Sequence, residues 1–291
     1  MSTGETWTIN RLLTWTADYF KKQQIDQPRL EAEVLLGYAL GCPRIALYTR
    51  YEEIISDESR AKFREFVKNR VAGMPVAYIA GKKEFYSLNF TVTRDTLIPR
   101  PETEHLVIAV LDALKASPSG EQLVADVGTG SGAIAIAVAK YAPQCRVTAI
   151  DAIAAAAKVA EQNAKDLGVA DRVTVSVGDL LNGVAANIKF QSIAANLPYV
   201  SQAEYEQLDK SVKDFEPESA LVGGSSGTEI IARLIPQAAT HLVPGGLLAL
   251  EVSPMNADQV ATFVNSDGNF EPATITKDLA GHKRIVAAKR K

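Results

Sequence analysis

The N-terminal part of the chain has a helical pattern of apolar positions. From residue 8 to about residue 70, apolar side chains recur at spacings of three and four. The spacing is seen in Leu30, Val34, Leu35 and Ala39. Ser56 precedes one of the apolar stretches and is placed to cap a helix there. The pattern predicts a small all-helical domain over residues 1–75.

Short β-like segments follow the helical part and are separated by glycine and proline. They lie around residues 78–79, 83–86 and 88–92. We predict a hairpin linker over residues 76–100. Behind it, Pro101 suits the first turn of a helix, because its missing N–H would be unpaired there in any case, and the helix is predicted to run from about Glu102 to Lys115.

From Leu123 onward, short apolar runs alternate with helical patterns. Strands are predicted over residues 123–127, 146–150, 173–177, 190–195, 247–252 and 284–288. An alanine-rich helix is predicted over residues 152–167, with Gly168 at its end. This alternation predicts a mainly parallel sheet with helices on both faces, so the expected fold class is α/β and Rossmann-like, with a second domain over residues 101–291.

Composition and charge exclude several classes of protein. Of the 291 residues, 47% are hydrophobic and 22% are charged, which excludes disordered and fibrous chains. The net charge of -3 gives no overall positive field that would attract a nucleic acid. The chain lacks a signal sequence and any window of about 18 apolar residues, so we expect neither export nor a membrane span.

The cysteines and histidines indicate no metal site. Cys42 and Cys145 match neither a metal-ligand spacing nor a disulfide framework, which favours a cytoplasmic location. His105, His241 and His282 have no partner at a metal-binding spacing. We therefore expect no bound metal.

A glycine-rich loop follows the first predicted strand of the α/β part. It consists of Asp126, Val127, Gly128, Thr129, Gly130, Ser131 and Gly132, with Ala133 behind them. Glycines at this place let a ligand approach the backbone at a helix N-terminus. Taken alone, the loop also fits the dinucleotide-binding fingerprint. A tight turn between a strand and a helix, with no ligand, is a further interpretation of the same residues. Asp126, Gly128, Thr129, Gly130, Ser131 and Gly132 are our candidate cofactor contacts.

Acidic residues end the next two predicted strands. Asp151 follows the second strand, where a carboxylate can accept hydrogen bonds from both hydroxyls of a ribose, and it is equally suited to cap the helix behind it. Asp179 and its neighbour Leu180 follow the third strand, where they can meet an adenine edge or form a plain turn. These positions favour a nucleoside cofactor.

A tetrapeptide of mixed polar and apolar residues lies at the end of the fourth predicted strand: Asn196, Leu197, Pro198 and Tyr199. Open α/β sheets bind their ligands beyond the carboxyl ends of their strands. Amide and aryl amine nitrogens are poor nucleophiles because their lone pair is conjugated, and their protons must be held. The Asn196 carbonyl and a backbone carbonyl at Leu197 or Pro198 can accept two N–H bonds. Pro198 fixes the turn, and Tyr199 can stack on the planar group. The tetrapeptide predicts methyl transfer to a planar nitrogen, with Asn196, Pro198 and Tyr199 as candidate catalytic residues.

Over nearly its whole length the sequence resembles the release-factor glutamine N5-methyltransferases, the HemK-type family. The matching segments are GMPVAYIAG at 73–81, LIPRPETE at 97–104, the loop at 128–132, NLPY at 196–199, residues 216–217, 220–221 and 223–224, and AGHKR at 280–284. The resemblance implies a helical domain, a hairpin linker and a seven-stranded class I methyltransferase domain. It also implies S-adenosylmethionine as the cofactor, with contacts to the loop at 128–132, to Asp151 and to Asn196.

The same resemblance implies a protein substrate, the glutamine of the Gly-Gly-Gln loop of peptide-chain release factors. Asn196 to Tyr199, Arg100 and Glu102 are the expected substrate contacts. We expect a cytoplasmic monomer that binds neither nucleic acid directly nor a membrane, and whose helical domain docks the release factor. The family usually has proline where this chain has Leu197. The alternative is an N6-adenine methyltransferase of DNA or ribosomal RNA, whose planar amine would suit the same tetrapeptide.

Overall fold

Helices and strands occupy most of the residues that the computed structural model describes, which are residues 6–116 and 120–291. The helices are α1 (Ile9–Lys22), α2 (Pro28–Leu40), α3 (Arg44–Thr49), α4 (Asp57–Val71), α5 (Val76–Ala80), α6 (Glu104–Ala116), α7 (Ala133–Tyr141), α8 (Ala154–Asp166), α9 (Gln202–Tyr205), α10 (Lys210–Lys213), α11 (Glu229–His241) and α12 (Ala257–Ser266). The strands are β1 (Lys82–Phe85), β2 (Leu88–Thr91), β3 (Gln122–Val127), β4 (Cys145–Asp151), β5 (Val173–Val177), β6 (Phe190–Ala195), β7 (Val200–Ser201), β8 (Val222–Gly224), β9 (Leu242–Glu251), β10 (Thr274–Lys277) and β11 (Lys283–Lys289). Short 3-10 helices cover Pro101–Thr103 and Glu218–Ala220.

These elements form two compact units. The helical unit contains the described residues up to Gly81, together with Lys210–Phe215. The other unit contains Lys82–Asp209 and Glu216–Lys291. Each unit has its own apolar core, and none of the described helices is both long and apolar enough to cross a membrane.

The helical unit buries apolar side chains from its first four helices. The fully buried ones include Ile9, Leu13, Phe20, Leu35, Leu36 and Leu47. The Ser56 hydroxyl accepts a hydrogen bond from the Ser59 N–H at 3.2 Å, which is the cap that the sequence predicts for α4. Capping and burial together hold α4 against the rest of the unit.

The β-like segment predicted at residues 78–79 is wrong, because these residues lie in α5. Pro75 precedes this helix with a φ of -56°, and Gly81 ends it in the left-handed region with a φ of +68°. The β-branched and aromatic composition of the segment favoured a strand. The proline and the glycine at its two ends instead enclose a single helical turn.

The larger unit is built on a seven-stranded sheet in the order β10-β11-β9-β6-β3-β4-β5. The central strands β9, β6, β3, β4 and β5 are parallel, and β11 and β10 pair antiparallel at one edge. The predicted α/β Rossmann-like fold is therefore confirmed. The edge strand β10 was not predicted, because its side chains are largely exposed and leave no apolar signal.

Strand order determines where a ligand can bind. The chain builds β4 and β5 on one side of β3 and then crosses to place β6 on the other side. At such a reversal the loops after the two neighbouring strands turn away from each other and leave a crevice at their carboxyl ends. The glycine loop after β3 and Asn196 after β6 both lie at this crevice.

Candidate active site

A cavity of about 280 Å³ opens beyond the carboxyl ends of the parallel strands. It brings together many of the predicted site residues from segments far apart in the sequence. Those that line it are Arg100, Gly128, Thr129, Gly130, Ser131, Asp151, Asp179, Leu180, Asn196, Leu197 and Pro198. The predicted residues Glu102, Asp126, Gly132 and Tyr199 are not among its lining residues.

Asp126 holds the glycine loop from behind. It is fully buried, and its Oδ2 atom accepts hydrogen bonds from the Thr129 hydroxyl at 2.6 Å and from the Ala135 N–H at 3.0 Å. Burial raises the pKa of Asp126 to about 6, while these two hydrogen bonds oppose the rise. Asp126 thus joins the end of β3 to the start of α7.

The glycines of the loop have different surroundings. A Cβ on Gly132 would lie 2.8 Å from the Ile136 Cδ1 atom and 3.2 Å from the Ala160 Cβ atom, so this glycine is needed for packing between α7 and α8. Gly130 has a φ of +54°, and a Cβ on it would meet nothing within 4 Å. Gly130 is therefore the glycine with open space in front of it.

Asp151 fixes the loop from the next strand. Its Oδ2 accepts from the Gly130 N–H at 2.8 Å and its Oδ1 accepts from the Ile153 N–H at 2.9 Å. Because α8 begins at Ala154 and Ile153 is its capping position, Asp151 forms a turn ahead of the helix and does not cap it. Burial raises the pKa of Asp151, and the two backbone N–H groups lower it.

Asp179 and Leu180 form the wall of the cavity behind β5. Asp179 pairs with Arg233 of α11 and accepts from the Asn182 amide at 3.1 Å. Leu180 is buried with a φ of +55°, a conformation that non-glycine residues adopt at a cost. Arg233 was not predicted, since its pairing with Asp179 joins positions far apart in the sequence.

The Asn196 side chain has a defined orientation. Its Nδ2 atom donates to the Thr103 hydroxyl oxygen at 3.1 Å, across 93 positions of sequence. Tyr199 is not among the residues that line the cavity, and its hydroxyl donates to Oε1 of the buried Glu251 at 3.3 Å. Burial raises the pKa of the Tyr199 hydroxyl, and the nearby Glu251 carboxylate raises it further.

The backbone of Pro198 and Tyr199 is supported by the glycine-rich segment around β8. A Cβ on Gly223 would lie well under 3.0 Å from the Pro198 carbonyl oxygen, and one on Gly227 would meet the Tyr199 carbonyl oxygen equally closely. The Asn256 amide donates to the same Tyr199 oxygen at 3.1 Å. Only glycine permits this close approach.

Arg100 is held by a buried acid that was not among the predicted site residues. Its guanidinium donates to Glu216 Oε1 at 2.5 Å, while Oε2 of Glu216 accepts from the Ile98 N–H at 3.2 Å. Glu102 lies near Glu251, and its charge raises the pKa of that carboxyl. Thr103, which lines the cavity and contacts Asn196, was not predicted to take part in the site.

The fold is that of the Rossmann-like methyltransferases. A methyltransferase from Pyrococcus furiosus superposes with a TM-score of 0.51 at 20% identity, and the match covers 80% of this chain and 98% of that one, which supports the fold. Residues 11–81 match the family described as the PrmC N-terminal domain, and residues 103–187 match the precorrin methyltransferase domain.

Curated relatives define the family more closely. A release factor glutamine methyltransferase of Rhodopirellula baltica is 45% identical over 286 residues, which are 98% of this chain and 97% of the relative. One of Koribacter versatilis is 40% identical, covering 97% of this chain and 99% of the relative. The chain belongs to the release factor glutamine methyltransferase family, which confirms the resemblance drawn from its motifs.

The contact between Gly223 and Pro198 can be tested by adding one methyl group. Gly223→Ala should lower the free energy of unfolding by about 1–3 kcal/mol, because the new Cβ must displace the Pro198 carbonyl or its own strand. Gly183→Ala is the matched control, since its Cβ would meet nothing within 4 Å, and it should stay within about 0.5 kcal/mol of the parent. Denaturant unfolding measures both. Equal stabilities of the two variants would contradict the close contact.

Proposed function

We propose that this protein transfers a methyl group from S-adenosylmethionine to the side-chain amide nitrogen, N5, of the glutamine in the Gly-Gly-Gln loop of peptide-chain release factors, and so modulates translation termination. The observation that carries the proposal is the shared cavity, whose lining includes Asn196 and Pro198 together with the glycine loop and Asp151. Membership in the release factor glutamine methyltransferase family supports the choice of substrate. A release factor as substrate places the reaction in the cytoplasm.

The cavity residues fit a nucleoside cofactor. Gly130 leaves open space beside the loop, and Asp151 retains lone pairs that can accept ribose hydroxyls beyond its two backbone bonds. Ala152, Ile153 and Leu180 give the same side of the cavity an apolar wall suited to a purine ring. When bound, S-adenosylmethionine supplies a methyl group on a positively charged sulfur.

The residues after β6 orient the amide that is to be methylated. The lone pair of an amide nitrogen is conjugated, so the protein must hold both of its N–H groups to aim the nitrogen. Since Nδ2 of Asn196 is engaged with Thr103, its Oδ1 atom is the end that accepts one N–H. The second N–H needs a backbone carbonyl as its acceptor. Because the Pro198 carbonyl faces Gly223, we assign this role to the carbonyl of Leu197. Tyr199, held by Glu251, closes the turn and remains our proposed stacking residue.

The helical unit docks the body of the release factor in this proposal. It carries a groove lined by Trp7, Trp15 and Tyr19, and the basic side chains Arg60, Arg64 and Lys68 lie along it. Trp15 is 51% exposed although it stacks on Tyr19 with ring centroids 5.2 Å apart. A stacked aromatic pair that is partly exposed beside positive charge is suited to bind a protein surface.

The role of Asp151 predicts a loss of cofactor affinity on its replacement. Asp151→Ala should weaken S-adenosylmethionine binding by about 1–3 kcal/mol, the usual loss when a charged hydrogen-bond partner is removed. Asp166→Ala removes an exposed carboxylate of α8 and should leave the affinity unchanged. Titration calorimetry measures both variants, with NAD as a ligand that should produce no binding. Unchanged affinity in folded Asp151→Ala would restrict this residue to shaping the loop.

The substrate is tested by following a labelled methyl group. Wild-type protein should transfer it to the release-factor glutamine and not to ribosomal RNA or DNA, with the position read by peptide mass. Asn196→Ala and Asn196→Asp should each lose about 100-fold or more in rate, because the amide is no longer held in the reactive orientation. Leu197→Pro should keep most of the activity, since only the backbone carbonyl acts there. Asn269→Ala, at an exposed asparagine bonded to Asp267, should match the wild type. Label on adenine would contradict the proposed function.

Docking by the helical unit is tested by comparing two substrates. Trp15→Ala should raise the KM for intact release factor roughly 10-fold, the effect expected for an aromatic anchor, and should leave methylation of a short Gly-Gly-Gln peptide unchanged. Ile45→Ala, which truncates another exposed apolar side chain of the unit, should change neither. If Trp15→Ala affects the peptide and the whole protein equally, or neither of them, this groove does not dock the substrate.

A further inference from the structure

Glu251 is a buried acid directly behind the site. It is the last residue of β9 and only 1% exposed. Its Oε1 atom accepts from the Tyr199 hydroxyl, and its Oε2 atom has no hydrogen-bond partner among the residues that the structure describes. A buried carboxyl group with an unsatisfied oxygen is costly to the fold. Its presence beside the substrate-holding residues therefore calls for a role in the site.

Thr103 connects this acid to the amide of Asn196. It ends the 3-10 helix Pro101–Thr103 and is 4% exposed. Its hydroxyl oxygen accepts from Asn196 Nδ2 at 3.1 Å, and the hydroxyl lies near enough to Glu251 to lower the pKa of that carboxyl. A threonine hydroxyl has a single proton. Because the oxygen already receives the Asn196 N–H, this proton is free to point to Glu251.

We propose that Glu251, acting through the hydroxyl of Thr103, is a positioning residue that fixes which end of the Asn196 amide faces the cavity. The proposal rests on the proposed function, in which Asn196 Oδ1 accepts an N–H of the substrate glutamine. The two ends of an asparagine amide have nearly the same shape, so packing alone selects between them weakly. The direction of the hydrogen bond between Thr103 and Asn196 therefore decides whether Oδ1 or Nδ2 faces the cavity.

The direction of that bond depends on the charge of Glu251. When the carboxyl is ionised it can only accept, so Thr103 donates to it and must accept from Nδ2 of Asn196. When the carboxyl is protonated it can donate to Thr103, which then turns its own proton toward Asn196. In that second arrangement, Oδ1 of Asn196 faces Thr103 and accepts its proton. The NH2 group of Asn196 then faces the cavity, where it cannot accept a hydrogen bond from the N–H of the substrate. The ionised form is therefore the productive one.

The charged and titratable groups around Glu251 place its ionisation near neutrality. Burial raises the pKa of Glu251 to about 7, and the charge of Glu102 adds to the rise. Arg284 on β11 and the hydroxyls of Thr103 and Tyr199 lower the pKa. Arg284 is itself bound to Asp278 at 2.8 Å, which shares its charge. The productive form is lost as the pH falls through about 7, so the rate of methyl transfer should decrease in that range.

Kinetics of four variants test this role. Glu251→Gln and Thr103→Val should lower kcat between about 10- and 100-fold, as expected when a reacting group is misoriented, with little change in the KM for S-adenosylmethionine. Thr103→Ser keeps the hydroxyl and should restore most of kcat. Ser192→Ala removes a buried hydroxyl of β6 that has no partner among the described residues and serves as the control. Thermal unfolding confirms that each variant is folded.

The pH profile separates positioning from a merely structural role. In the wild type, kcat should fall on the acid side with a midpoint near 7, and in Glu251→Gln this step should be absent. Asp126 also titrates, with a pKa of about 6, and its contribution should persist in both proteins. A wild-type profile that Glu251→Gln leaves unchanged would overturn the proposal, as would full activity of Thr103→Val.

A measurement without turnover keeps this inference distinct from the proposed function. The side-chain NH2 signal of Asn196, assigned by its loss in Asn196→Asp, should shift with pH near 7 in the cofactor-free wild type and not in Glu251→Gln. If this signal does not follow Glu251, the positioning role is wrong even when glutamine is methylated. If the signal follows Glu251 but release-factor glutamine is not methylated, the proposed function is wrong and the control of Asn196 by Glu251 stands.

Discussion

The parallel pairing of β3 with β6 is the constraint on which the site depends. Val127 lies opposite Ala195 in the register, so the next residues of the two strands are Gly128 and Asn196. The loop that can receive a cofactor and the segment that can hold an amide therefore start side by side at the crevice. Gly128 has a φ of +76°, where a side chain would strain the backbone, and a Cβ there would also lie 2.9 Å from the Leu197 Cδ2 atom. One strand pairing thus sets both halves of the proposed reaction within a short distance.

Three buried acids hold the pieces that surround this pairing. Asp126 ties the glycine loop to α7, Glu216 ties Arg100 to the wall of the cavity, and Glu251 lies behind Asn196 and Tyr199. Asp126 and Glu251 have raised pKa values because burial favours their neutral forms. Buried acids of this kind cost stability, and the fold keeps them where they orient backbone or side-chain groups at the site.

The relatives and the structural neighbours share different parts of this chain. The Rhodopirellula baltica enzyme is similar over 98% of the chain, so its likeness includes the helical unit as well as the sheet. The Pyrococcus furiosus methyltransferase shares the fold at 20% identity and indicates no substrate. Substrate choice in our proposal accordingly depends on the helical unit and on residues 196–199, while the sheet provides the general framework for methyl transfer.

The sequence alone determined the features that local patterns encode. The parallel strands, the glycine loop, Asp151 and the Asn196 segment were recognisable because apolar periodicity and loop chemistry are set by neighbouring residues. Even local evidence misled at residues 78–79, where Pro75 and Gly81 outweighed strand-favouring side chains. Only the tertiary structure brought Thr103 to Asn196, Glu216 to Arg100 and Glu251 to Tyr199. These contacts join positions 52 to 116 residues apart, and no periodic or motif signal in one sequence specifies which distant polar groups burial will force to pair.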